Sequence, residues 1–194
     1  MIHLALNFLR QHLSKELNLK LGLTPATDSV KISPVNKDTA PDNKIHLTLV
    51  NIEEEKILKN QNYYRKVTPD SDFYTVVNPE IKVNLYVLAS AQFEESNYTE
   101  ALKQISYVMT IFQGKNVFNQ QDLTGDAQTL ETLIVELYTQ TIEQNNGLWQ
   151  AMGSNPVPAV MYKVRLLLIQ DNKMADQVSE VKGIGIDLVK KSQV

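Results

Sequence analysis

The strongest constraint on the fold is a change of hydrophobic period in mid-chain. Residues 81–91, IKVNLYVLASA, alternate, with Ile81, Val83, Leu85 and Val87 on one side and Lys82, Asn84 and Tyr86 on the other. That is the two-residue repeat of a strand with one buried face. Soon afterwards Ala101, Leu102, Ile105, Val108, Met109 and Phe112 recur at helical spacing and stop before Gly114, with Asn97 and Glu100 set ahead of them like a capping box. A strand and a helix that follow each other so closely, each with one apolar side, must share a core, so sheet and helix have to pack as layers.

The rest of the chain fits that frame. Ile2, Leu6, Leu9, Leu13 and Leu17 predict an opening amphipathic helix, and Gly22 is a natural stop. Residues 23–43 hold three prolines and read as a loop with SVKIS as one short strand. KIHLTLVNI alternates Ile45, Leu47 and Leu49 against His46, Thr48 and Val50, a strand whose second face is partly covered. Residues 58–79 show no helical period and four aromatics, and read as a long excursion of the kind that often carries function. TLETLIVELYTQTI reads as a strand, EQNNGLWQAMG as a short helix and PAVMYKVRLLLI as another strand. The polar stretch DNKMADQ reads as a turn before VSEVKGIGIDLVKKSQV, where Gly183 and Gly185 argue against a helix. The fold class expected is α+β: a mainly antiparallel sheet packed with two principal helices, in a domain over 1–170, plus a C-terminal strand or arm over 171–194.

Chemistry is harder to find. The 194 residues include no cysteine, which excludes disulfides, thiolate metal sites and a thiol nucleophile. A net charge of −3 without a basic block argues against nucleic acid. No stretch suggests a signal peptide or direct membrane insertion, so the chain reads as soluble and unprocessed. His3, His12 and His46 show no metal-ligand spacing and read as surface or satisfied core histidines. No phosphate-cradling loop or nucleophile elbow is present, and no cofactor is expected.

The acidic triplet Glu53, Glu54 and Glu55 stands where a strand ends, followed by Lys56 and Lys59. Consecutive residues on a strand point to opposite sides, so three adjacent carboxylates do not converge on a metal. Solvated charge or an interface is the better reading. Trp149, the only tryptophan, either anchors its short helix in the core or anchors an interface. Val181, Ile184, Ile186 and Leu188 follow a polar hinge, and residues 178–189 are expected to lay a strand against an open sheet edge of another polypeptide.

Four blocks in order, LVNIEEEKILKN, the run from NPEIKVNLYVLASA to FQGKNVF, LIVELYTQTIEQNNGLWQAMG and PVPAVMYKVRLLLI, behind an opening MIHLALNFLRQHL, resemble the N-terminal domain of the cap, or tail-terminator, proteins of contractile phage-tail-like injection systems. The resemblance runs from Met1 to about Gln170. It implies a non-enzymatic structural subunit whose partners are five copies of itself, in a six-membered ring, and the tail tube and sheath subunits. That ring would sit opposite the baseplate, close the inner tube and end polymerisation of tube and sheath. The resemblance also implies assembly in the cytoplasm and then residence in the particle. It transfers no defined binding residues, and the segment after Gln170 is shorter than in some relatives. Another tube or sheath adaptor subunit is the alternative, and a small hydrolase or metal enzyme a distant third. The expected interface residues are therefore the charged segment Glu53–Lys59, Trp149 and the apolar tail positions.

Overall fold

A computed structural model describes residues 1–36, 38–55, 64–66, 73–76, 81–130, 132–169 and 176–179. In chain order the elements are α1 (Ile2–Leu21), β1 (Val30–Ile32), β2 (Lys44–Glu54), β3 (Tyr64–Lys66), β4 (Phe73–Val76), β5 (Ile81–Gln92), α2 (Tyr98–Gly114), β6 (Val117–Asn119), β7 (Thr132–Tyr138), α3 (Ile142–Met152), β8 (Ala159–Ile169) and β9 (Asp176–Ser179). They form two compact units, one of residues 1–59 with 81–169 and one of residues 60–80 with 170–194.

The first unit is α+β, as expected. Its six-stranded sheet has the order β1-β2-β5-β8-β7-β6, antiparallel throughout except for the β1–β2 pair. Odd-numbered β5 residues Val83, Leu85, Val87 and Ala89 bury one face of the sheet in a single core with Leu9, Leu13 and Leu17 of α1 and Ile105, Val108 and Phe112 of α2. The even-numbered side is covered too. Leu88 and Met161 pack against Trp149 of α3 and against Val35 from the loop after β1. The central strands are thus enclosed on both faces at one end, which is why His46, Thr48, Ser90 and Gln92 are buried although they alternate with apolar neighbours.

Helix ends follow their local chemistry. Gly22 closes α1 in the left-handed conformation at φ 67°, where a side chain would be strained. The capping box anticipated at Asn97 and Glu100 does not form. Asn97 lies in a short 3₁₀ turn with its side-chain amide donating to Asn43 Oδ1, while Glu100 pairs with Lys103 at 3.3 Å. The box appears instead on α3, between Thr141 and Gln144. His12 also departs from expectation. Its ring packs edge-on against Phe118 at 4.8 Å, its Nε2 is buried with no hydrogen-bond partner among the described residues, and burial pushes its pKa down.

The second unit contains a three-stranded antiparallel sheet, β3-β4-β9. The excursion at 58–79 is therefore not all loop, since it carries β3 and β4 in register, Tyr64 opposite Val76. The polar stretch read as a turn already contains the start of β9, whose Val178 and Ser179 lie opposite Tyr74 and Phe73. Two positions of the expected intermolecular arm are thus paired within their own chain.

Candidate interface surfaces

The acidic end of β2 is organised by a bulge. The register with β5 runs Leu49 opposite Val87 and then Asn51 opposite Tyr86, so Val50 is the extra residue and every later β2 side chain changes face. Glu53 thereby falls opposite Asn84, on the same side as Tyr86. The Tyr86 hydroxyl donates to Glu53 Oε2 at 2.7 Å, and this bond, ahead of burial and the carboxylate's field, pushes the Tyr86 pKa up to about 12. Asn84, almost wholly buried, donates its amide to Glu55 Oε2 at 3.0 Å, and the Glu55 N–H donates to the Lys82 carbonyl. The carboxylates are therefore partly built into the sheet. Exposed charge remains at Glu53 and Glu54.

Polar groups continue across this face. Tyr86 meets Tyr138 edge-on at 5.0 Å, and Arg165 of β8 donates to Glu136 of β7 at 3.0 Å. At the other end of the face the Trp149 ring is 2% exposed and its Nε1–H donates to Asn145 Oδ1 at 3.1 Å, one helical turn back. In the single chain that side chain holds α3 on the sheet. Lys56, Lys59, Val181, Ile184, Ile186 and Leu188 lie outside the described residues.

One arrangement was invisible in the sequence. Ser33 Oγ lies 2.9 Å from His46 Nδ1, and His46 Nε2 lies 2.8 Å from Asp42 Oδ1, so serine, imidazole and carboxylate stand in line as in hydrolytic enzymes. Its setting is structural. His46 is 1% exposed, with both ring nitrogens committed, and the Ser33 backbone is clamped by Leu47 and by the Thr48 hydroxyl. A sealed imidazole has no path along which to hand a proton to a substrate. The line instead ties the segment after β1 and the loop before β2 to the sheet. Asp42 is held below its usual pKa: burial works against this, and its bonds to His46 and Lys31 outweigh burial. Among the described residues no cluster of histidine and carboxylate side chains could hold a metal, and no helix is long and apolar enough to cross a membrane.

The model of one protein family, the Pvc16 N-terminal domain, matches residues 6–182. The chain belongs to that family. As a Pvc16 N-terminal domain it is matched over nearly all of the first unit and over residues 60–80 and 170–182 of the second, twelve residues beyond the point (182 − 170) to which the sequence blocks carried the resemblance. No curated protein matches the sequence. Among solved structures the fold is similar to the sheath/tube terminator of the PVC extracellular contractile injection system in its extended state, with a TM-score of 0.59 and 13% identity over 94% of this chain. It is similar as well to the tube-terminating cap of the anti-feeding prophage, with a TM-score of 0.63 and 14% identity over 95% of this chain. The chain spans 64% and 60% of the lengths of those two proteins, less than two thirds of each. At such identities the likeness establishes the fold.

Proposed function

We propose that this chain is a terminator subunit of a contractile injection particle, six copies of which form a ring at the end distal to the baseplate, closing the inner tube and ending polymerisation of tube and sheath. The observation that supports this reading is the similarity of the fold, over 94% and 95% of the chain, to two proteins that carry the names of a sheath/tube terminator and a tube-terminating cap. Its role is structural and non-enzymatic, and its partners are other copies of itself and the tube and sheath subunits, which it meets in the cytoplasm before joining the particle. The acidic end of β2 fits a contact surface: exposed carboxylates on a fixed strand set specificity and association rate more than affinity. Native mass spectrometry of the assembled form, together with gold labelling of the chain in isolated particles, tests the reading. The expected result is a hexamer, with label at one end. Label spread along the sheath, or a monomer at every concentration and within particles, would overturn it.

A further inference from the structure

Among the described residues, part of the β7 edge of the first unit's sheet has no partner strand. β6 pairs with β7 only as far as Val117 opposite Ile134, and the last bond on that side runs from the Val135 N–H to the Asn116 carbonyl at 2.8 Å. Backbone groups alternate along a strand, so if the Val135 N–H points outward, the N–H and C=O of Leu137 point outward as well. No described strand pairs with that edge, and the Leu137 side chain is 55% exposed. Between this edge and the end of α2 lies a cleft of about 620 Å³ lined by Met109, Phe112, Gln113, Leu137 and Tyr162, among others. Met109 is 43% exposed, and the Tyr162 hydroxyl at the cleft is buried with no hydrogen-bond partner among the described residues. Along the adjoining flank of α2, the Ser106 and Thr110 hydroxyls turn back onto the carbonyls of Leu102 and Ser106 at 2.8 Å, so they offer no outward donor. An open edge supplies backbone bonds and an apolar trough beside it takes alternate side chains, which together suit an added β-strand.

We propose that this edge and cleft receive residues 184–188 of a second copy of the chain, added as a strand beside β7; the proposal rests on the self-assembly reading above. Ile184, Ile186 and Leu188 fall on one side of an extended segment, roughly 6.8 Å apart, and can cover Leu137 and Met109, while Gly185 and the charged Asp187 fall on the opposite side, away from the cleft. A carbonyl of the incoming strand gives the Tyr162 hydroxyl the acceptor it lacks. β9 ends at Ser179, fifteen residues before Val194 (194 − 179), and the seven residues on to Ile186 span up to roughly 24 Å when extended.

Because the chain has no cysteine, crosslinking tests this directly. Full-length Leu137→Cys is mixed with full-length Ile184→Cys, Ile186→Cys or Leu188→Cys, allowed to assemble and oxidised; Gly185→Cys, on the opposite side of the strand, is the control. Opposed residues in a hydrogen-bonded strand pair have Cα atoms about 5.5 Å apart, within disulfide range. The expected result is a covalent dimer of about 44 kDa (2 × 22.0) from at least one of the three mixtures, in several-fold excess over the control. Ile186→Asp in the otherwise unaltered chain should weaken self-association by about tenfold, the worth of one buried aliphatic side chain. Rings that form with no crosslink above the control overturn the strand proposal and leave the ring reading standing. A chain that never self-associates overturns both. A photoreactive residue at position 137 that captures a tube or sheath subunit in particles, without the dimer, overturns the choice of occupant.

Discussion

Replacing Glu53 with Gln removes one charge and leaves an acceptor oxygen in place, so it separates what the acidic segment does for the fold from what it does for assembly. In the folded chain the Glu53 carboxylate accepts from Tyr86 at 2.7 Å. A bond to a charged group contributes about 1.5–3 kcal/mol and a neutral one about 0.5–1.5 kcal/mol. Because Glu53 is exposed, solvent screens much of that difference, and the expected loss is under about 1 kcal/mol. For a chain of this length that corresponds to a fall in melting temperature of roughly 3 °C or less. The tyrosine responds in step. Its hydrogen bond to Glu53 is the largest cause of the rise from 10.0 to about 12, followed by burial and the carboxylate's field; the variant keeps a neutral acceptor but loses that field, so the Tyr86 pKa should fall part of the way toward 10.0, by an amount that matches the stability lost. The sign of the pH dependence follows. A hydroxyl whose folded pKa is raised contributes stability that is complete below pH 10 and is lost as the pH climbs through about 12, so wild type and variant should differ at neutral pH and converge above that range. Titration of isotope-labelled tyrosine rings by NMR, with Tyr86→Phe to assign the signal, reads the pKa, and thermal denaturation reads the stability. An unmoved Tyr86 would refute the pairing, and a loss above about 3 kcal/mol would make the segment a structural network. In the triple Gln variant of Glu53, Glu54 and Glu55, self-assembly should weaken most at low salt.

Two further perturbations test the account elsewhere. His46→Leu leaves Asp42 and Ser33 without their buried partner and should cost about 2–4 kcal/mol in urea denaturation, whereas a change within about 0.5 kcal/mol would contradict the pinning role. Trp149→Ala removes the ring from its cluster with Val35, Leu88 and Met161 and should destabilise the isolated chain by about 3–5 kcal/mol; an unchanged isolated chain with defective assembly would make the ring an interface anchor alone.

Periodicity made the first unit legible. The stripes of α1 and α2 and the alternation of β2, β5, β7 and β8 are local signals, and each element formed where its apolar residues recur. What failed depended on longer reach. Asn97 has the right type and spacing for a cap, but Asn43, distant in sequence, claims its side chain. The true box at Thr141 and Gln144 is hidden in the sequence because the strand-like run TLETLIVELYTQTI continues through Thr141 to Ile142. β3, β4 and β9 are each three or four residues long, too short for a two-residue period to register, and β9 begins in a stretch whose composition suggests a turn. The candidate surface was legible in composition but not in geometry. That Glu53 lies beside Tyr86 depends on one bulged residue at Val50, which shifts the register without leaving a mark in the hydrophobic pattern. Ser33 reaches His46 only because β1 lies beside β2, while Asp42 is four residues from His46 in the chain.

Electron microscopy of particles made with and without this chain bears most directly on the claim that it ends polymerisation. Tail length and the shape of the end distal to the baseplate are the quantities to record. With the chain present, tails should have one narrow length distribution and a closed end. Without it, tubes should be of variable and greater length, with open ends. Identical lengths and closed ends in both preparations would contradict the terminator role.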